Sequence, residues 1–204
     1  MLKTLKVSGF KSLDDVTLDF PRLTVLFGPN ASGKSNILDA VQALSRFATS
    51  RTLADALAEP IRGYPVEAFS FPSGGLAELL SGPSRRFDLE AELEVGQDPF
   101  TYRLSVEIEP LSAAVSVVDE YLARLRNEPS GVPAIEVVDD RIRLRRKSSG
   151  KPRFESLRQN FTMLSDLRLS GSEYRAIDLT RAELSAWRTY YLDPRVAMRG
   201  PTAG

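Results

Sequence analysis

The chain has 204 residues, 42% hydrophobic and 26% charged, enough for one sizeable core plus an appended lobe. Lys plus Arg and Asp plus Glu both number 27, so net charge argues for neither nucleic acid nor membrane as a partner. With no Cys and no His, the chain itself supplies no disulfide, thiolate or imidazole metal ligand, and no His general base. No apolar run approaches the roughly 18–20 residues that cross a bilayer. The opening Met1-Leu2-Lys3-Thr4-Leu5-Lys6 lacks the apolar stretch of a signal peptide, so a cytoplasmic protein is expected.

Residues 2–8 alternate, with Leu5 and Val7 on one face, and Val16, Leu18 and Phe20 alternate with Thr17 and Asp19. Both predict half-buried strands, joined by the turn Gly9-Phe10-Lys11-Ser12. Leu23-Thr24-Val25-Leu26-Phe27 is a nearly continuous apolar run that stops at a glycine, the pattern of a central strand buried on both faces. From Gly33 the period becomes helical, with Ile37, Leu38, Val41, Leu44 and Phe47 in one apolar stripe. Residues 49–86 carry Pro60, Gly63, Pro65, Pro72, Gly74, Gly75, Gly82 and Pro83, so a surface connection with a short helix over 76–80 is expected. Next, Phe87, Leu89, Ala91, Leu93 and Val95 alternate with acidic residues, and Phe100, Tyr102, Leu104, Val106 and Ile108 with polar ones. They predict a hairpin turning at Gly96-Gln97-Asp98-Pro99. A third strand over 115–126 follows, then a hairpin of 135–138 with 141–146 that turns at Asp139 and Asp140. Helical character is expected over 155–168 and near 180–186, and 187–192 reads as a strand.

Gly28-Pro29-Asn30-Ala31-Ser32-Gly33-Lys34-Ser35 fits the phosphate-binding loop G-x-x-x-x-G-K-[ST], between a predicted strand and a predicted helix. Gly28 and Gly33 let the backbone fold around phosphates without a Cβ in the way. The N–H groups then form an anion nest, to which the following helix adds its N-terminal partial charge. Lys34 supplies a point charge for the β- and γ-phosphates, and the Ser35 hydroxyl a hard oxygen for Mg²⁺. Asn36 and Asp39 fall on the first helical turns. Asp39 reads as surface polarity there.

Leu5-Lys6-Val7-Ser8-Gly9-Phe10-Lys11-Ser12-Leu13, followed by Leu26-Phe27-Gly28-Pro29-Asn30-Ala31-Ser32-Gly33-Lys34-Ser35-Asn36-Ile37-Leu38-Asp39-Ala40, resembles the start of a RecF/SMC-type ABC ATPase. It is most similar to the bacterial AAA-family ATPases grouped with the OLD (overcoming lysogenization defect) proteins. The resemblance covers about the first 48 residues. Trp187-Arg188-Thr189-Tyr190-Tyr191-Leu192-Asp193-Pro194 resembles the strand these proteins carry before their C-terminal half. The resemblance implies an α/β P-loop NTPase: the N-terminal lobe of an ABC-ATPase head with an antiparallel β-rich arm. The expected organisation is a P-loop core over 1–48, a connection over 49–86, the arm over 87–154, and a helical segment with a returning strand over 155–204. It also implies ATP and Mg²⁺ as ligands, with residues 28–36 on the nucleotide and Lys34 as the catalytic group. Heads that dimerise on ATP binding are implied as well. In the family the Phe-Lys-Ser turn lies near the ribose and adenine, which makes Lys11 and Ser12 candidates; a solvated β-turn is the alternative. A glutamine after the arm contacts Mg²⁺ or the attacking water, which points to Gln159; a helix surface is the alternative.

The family's signature motif and Walker B strand have only lookalikes here. Val115-Ser116-Val117-Val118-Asp119-Glu120 lies inside the arm. Ser73-Gly74-Gly75 reads as a turn. Leu169-Ser170-Gly171-Ser172 with Tyr190-Tyr191-Leu192-Asp193-Pro194 has Pro194 where a catalytic Glu belongs, leaving no group to orient water. The chain is therefore expected to be the N-terminal portion of a larger ATPase of DNA-repair or anti-phage type. The alternative is a non-hydrolysing nucleotide-binding regulatory module. A small-molecule kinase is a third reading, weakened by the lack of an Arg-rich lid. Arg141, Arg143, Arg145, Arg146, Lys147, Lys151 and Arg153 run without an intervening acid. The first three share a strand face with two readings: a stripe that follows a DNA backbone, or a face neutralised by Glu136, Asp139 and Asp140 across the hairpin.

Overall fold

The computed structural model describes residues 1–61, 64–125, 132–147 and 151–190. The sequence alternation becomes a sheet with one buried face. In β3 (Arg85–Val95), Phe87, Leu89, Ala91 and Leu93 are buried, and the intervening residues turn toward solvent. β4 (Asp98–Glu109) extends that face with Phe100, Tyr102, Leu104, Val106 and Ile108, and β5 (Ala114–Arg124) with Val117 and Leu122. β3 and β4 join at Gly96-Gln97, where Gly96 takes φ 67°. β6 (Ile135–Val138) and β7 (Arg141–Leu144) join through Asp139 and Asp140, both at positive φ, which is the twist a two-residue hairpin needs. β1 (Leu2–Ser8) pairs with β2 (Val16–Asp19) on one side and β3 on the other, and β8 (Arg153–Ser156) pairs with β7. The result is one eight-stranded antiparallel sheet, ordered β2-β1-β3-β4-β5-β6-β7-β8. Strands that the sequence divides between P-loop core and arm thus share a sheet.

Helices cover the buried face. They are α1 (Lys34–Phe47), α2 (Leu53–Ile61) and α4 (Arg175–Ser185), while α3 (Gly75–Ser81) buries Leu79 apart from that core. α1 buries Ala40, Ala43, Leu44 and Phe47, while Leu38 is 46% exposed, so the packed stripe is rotated from the predicted one. Phe10, Phe47 and Phe69 gather around Phe87, with ring centroids 5.3, 6.2 and 5.0 Å away. These rings join the first turn, the end of α1 and the sheet.

Three expectations give way. Residues 23–27 form no strand; Leu23, Val25 and Phe27 are 81%, 70% and 90% exposed. A strand buried on both faces needs neighbours along both edges, and no described strand pairs with this segment. The predicted helix over 155–168 is replaced by β8, which pairs with the open edge of β7, and by a 3-10 turn at Met163–Ser165. That turn starts at Thr162, whose hydroxyl accepts the Ser165 N–H. Residues 187–190 form no strand, and 191–192 lie outside the described residues, as do Asp193 and Pro194.

Candidate nucleotide-binding site

The loop at 28–35 is folded around its own lysine. Lys34 Nζ donates to the carbonyls of Gly28 at 2.9 Å and Pro29 at 2.7 Å, and to Ser32 Oγ at 3.2 Å. The ammonium thereby holds the two ends of the loop at a fixed spacing while its remaining surface faces solvent. Two residues take left-handed backbone: Ala31 at φ 62° and Gly33, the N-cap of α1, at φ 87°. Glycine is at home there; alanine is strained. Ala31→Gly is therefore expected to keep nucleotide binding and to change stability by less than about 1 kcal/mol, whereas Ala31→Val costs about 2 kcal/mol. Urea unfolding of both variants measures this. Ser35 is exposed at the helix start, open to a ligand.

The turn between β1 and β2 is clasped against this loop. Asn36 Nδ2 donates to Ser12 Oγ at 2.7 Å. A Cβ added at Gly33 would lie 3.5 Å from both Ser12 Oγ and Leu13 Cδ2. Lys11 Nζ reaches Asp39 Oδ2 at 2.6 Å. Lys11 itself has φ 51°, held because its N–H bonds the Ala68 carbonyl and its carbonyl accepts from Ser70 Oγ. Gly9 sits so close to β3 that a Cβ there would lie 2.5 Å from the Arg86 carbonyl oxygen. So the structure brings Lys11 and Ser12 to the start of α1. The turn is anchored by buried Phe10 and Leu13, while Lys11 is half-buried and Ser12 exposed.

Asp39 is the residue that sequence reasoning passed over. It is 5% exposed, not surface polarity. The available signal was its spacing: with Asn36, Ala40, Ala43 and Phe47 it lies three or four residues from its neighbours on one helix face.

Other candidates lie elsewhere. The Gln159 carbonyl accepts the Val117 N–H, beside β5. Asp119 pairs with Arg103 at 2.8 Å. Glu120 is fully buried and accepts from Met163 N, Leu164 N and Tyr102 Oη at 2.7, 3.0 and 3.1 Å. Both acids of that Walker B lookalike thus serve the sheet. Gly74 and Gly75 open α3, and Gly171 donates its N–H to Asp178 Oδ2. Among the described residues there is no cluster of three or more acidic groups able to hold a metal ion, and Ser35 is exposed at the start of α1. A groove of about 650 Å³ lies at the far end of α1, between Thr49 and α4. No described helix is long and apolar enough to cross a membrane.

Burial pushes the Glu120 carboxyl up to about 7, outweighing the three donors that favour its anion. The folded state then holds a proton that the unfolded chain releases near 4.5. Stability from this group is complete below the lower value and declines as pH rises to the upper one, by about 3 kcal/mol in all. Urea unfolding from pH 4.5 to 8 should show this decline in the wild type and lose it in Glu120→Gln.

The basic stripe is neutralised in part, two carboxylates meeting three of its arginines. Arg143 and Arg145 share Glu136 Oε1, at 2.7 and 3.1 Å, and Arg141 stacks 4.9 Å over the Phe154 ring. Arg153 pairs with Glu155, and Arg146 donates to Tyr174 Oη.

Residues 1–89 match the family described as AAA ATPase domain. A stretch of 44 residues is 59% identical to chromosome partition protein Smc of Rhodopirellula baltica, covering 21% of this chain and 4% of that protein. Another, of 63 residues, is 46% identical to Smc of Xanthomonas oryzae, covering 29% and 5%. A stretch of 55 residues is 42% identical to DNA replication and repair protein RecF of Symbiobacterium thermophilum, covering 26% and 15%. The chain thus spans a small part of the curated relatives that it matches. The P-loop and the turn clasped to it both lie within residues 1–89, the stretch that is similar to AAA ATPase domains, with partial similarity to Smc and RecF proteins.

Proposed function

We propose that this chain binds Mg·ATP at residues 28–36 as the N-terminal portion of a larger ATPase head. The observation that carries the reading is the loop already wrapped around Lys34, with left-handed backbone at Ala31 and Gly33. Binding replaces the ammonium's contact with Ser32 Oγ by a phosphate oxygen and keeps its two carbonyl contacts. Lys34 balances phosphate charge, the loop N–H groups and the start of α1 receive phosphate oxygens, and the Ser35 hydroxyl would hold Mg²⁺ beside them. When bound, Mg²⁺ neutralises phosphate charge. Exposed Leu23, Val25 and Phe27 support the rest of the reading, since a strand of this composition is completed by neighbouring strands from the remainder of a head. Dimerisation on ATP binding, and work of the DNA-repair or anti-phage type, are the finer parts of the proposal. Arg141 is the member of the basic stripe best placed for DNA, because Arg143 and Arg145 are engaged by Glu136.

A second reading is a module that uses nucleotide without hydrolysing it. It is favoured by the engagement of Asp119 and Glu120 in the sheet. Mg·ATP turnover measured across a range of chain concentrations separates the two. Turnover that rises with concentration means that two copies complete a catalytic site. Binding without turnover at any concentration sinks that claim and leaves the non-hydrolysing module, or a portion that needs the rest of its head.

A further inference from the structure

The Lys11 ammonium does not face the space in front of the P-loop as a free cation. It is 2.6 Å from the Asp39 carboxylate, and the two side chains are only 16% and 7% exposed. Asp39 lies five residues after Lys34 on the same helix, a rise of about 7–8 Å. A carboxylate there, poorly screened by water, lies on the order of 10 Å from a triphosphate seated on the loop and repels it.

We propose that Lys11 serves nucleotide binding through Asp39: its ammonium is the counter-charge that keeps the Asp39 carboxylate from repelling the bound triphosphate. This rests on the reading of residues 28–36 as the nucleotide site. Lys11 is then a positioning and charge-balancing residue, one layer behind the ligand. The backbone is built to keep it there. A non-glycine residue at φ 51° persists only when its surroundings enforce it. Here the Lys11 N–H is fixed on Ala68 and its carbonyl on Ser70. The Asn36 to Ser12 hydrogen bond ties the same turn to the first turn of α1. Asp39 in exchange anchors the turn to the helix, so the pair fixes the turn while presenting no net charge to the phosphates.

The test is Mg·ATP affinity of the full chain by titration calorimetry, at low and high salt, for wild type, Lys11→Met, Asp39→Asn and the double variant. Lys11→Met takes one cation from Asp39 and should bind about tenfold more weakly at low salt, with the gap narrowing at high salt. Asp39→Asn leaves the Lys11 cation without this carboxylate and should bind more tightly than wild type at low salt, by up to about tenfold, while the double variant, which removes both charges, should stay within about twofold of wild type. A purely structural role would not produce this salt dependence or this rescue. A double variant as weak as Lys11→Met would overturn the proposal, since the lysine would then touch the nucleotide itself; so would a Lys11→Met that binds like wild type. If Lys11→Met does not fold, the double variant decides, because it buries no unbalanced charge; a tenfold loss there overturns the proposal. Lys34→Ala separates the two readings. Wild-type affinity in Lys34→Ala defeats the P-loop reading and this proposal with it. Lost affinity in Lys34→Ala beside a weak double variant defeats this proposal alone.

Discussion

Lys34→Ala should weaken Mg·ATP binding by about 100-fold, the size of a lost charge-assisted contact to phosphate, while leaving the chain folded. The wild-type ammonium bonds two loop carbonyls at 2.9 and 2.7 Å and, more loosely, Ser32 Oγ at 3.2 Å, the contact that a phosphate oxygen would replace. Removing it takes away the one side-chain cation that the loop sequence supplies. The carbonyls of Gly28 and Pro29 are exposed and can bond water instead, so the cost to folding is below about 1 kcal/mol. Calorimetric titration with Mg·ATP, beside a thermal melt, measures both quantities. Unchanged affinity would mean that the nucleotide does not use this loop. A collapse in thermal stability would mean that Lys34 is holding the fold rather than waiting for a ligand.

Phe87→Ala should destabilise the chain by about 3–5 kcal/mol, the usual cost of emptying a buried aromatic site. Phe87 is fully buried on β3, and Phe10, Phe47 and Phe69 all pack on its ring. Each of those three belongs to a different segment: the Phe-Lys-Ser turn, the end of α1 and the connection after α2. The cavity would therefore loosen the turn that carries Lys11 and Ser12 along with the sheet. Urea unfolding gives the free-energy change. A loss below about 1 kcal/mol would mean that the four rings repack around the gap. Nucleotide affinity of whatever fraction remains folded then reports whether the turn needs this support.

The sequence by itself determined the loop and the hairpins. Gly28, Gly33, Lys34 and Ser35 stand at a fixed local spacing, and a loop of eight residues closes through its own backbone and side chain, so no distant contact was needed to find it. The pair β3 and β4, and the pair β6 and β7, were equally legible. Strict alternation sets one buried face, and Gly96 and the two aspartates at 139 and 140 supply the turns. Residues 23–27 show the limit. Their apolar run encodes a wish for burial, but burial requires neighbours that a local pattern cannot name, and here Phe27 is 90% exposed. The tertiary structure alone decided that β1 pairs with β3, across 80 or so residues of chain, and so joined two regions into one sheet. It alone decided the fate of the acids. Asp39 was expected on the solvent face of its helix and is buried on Lys11; Glu120 was expected as an exposed acid inside the arm and is buried, held by Met163, Leu164 and Tyr102. A carboxylate's role depends on which donor meets it across the fold, and that partner lies 28 residues away for Asp39 and 43 for Glu120, beyond the reach of any local period.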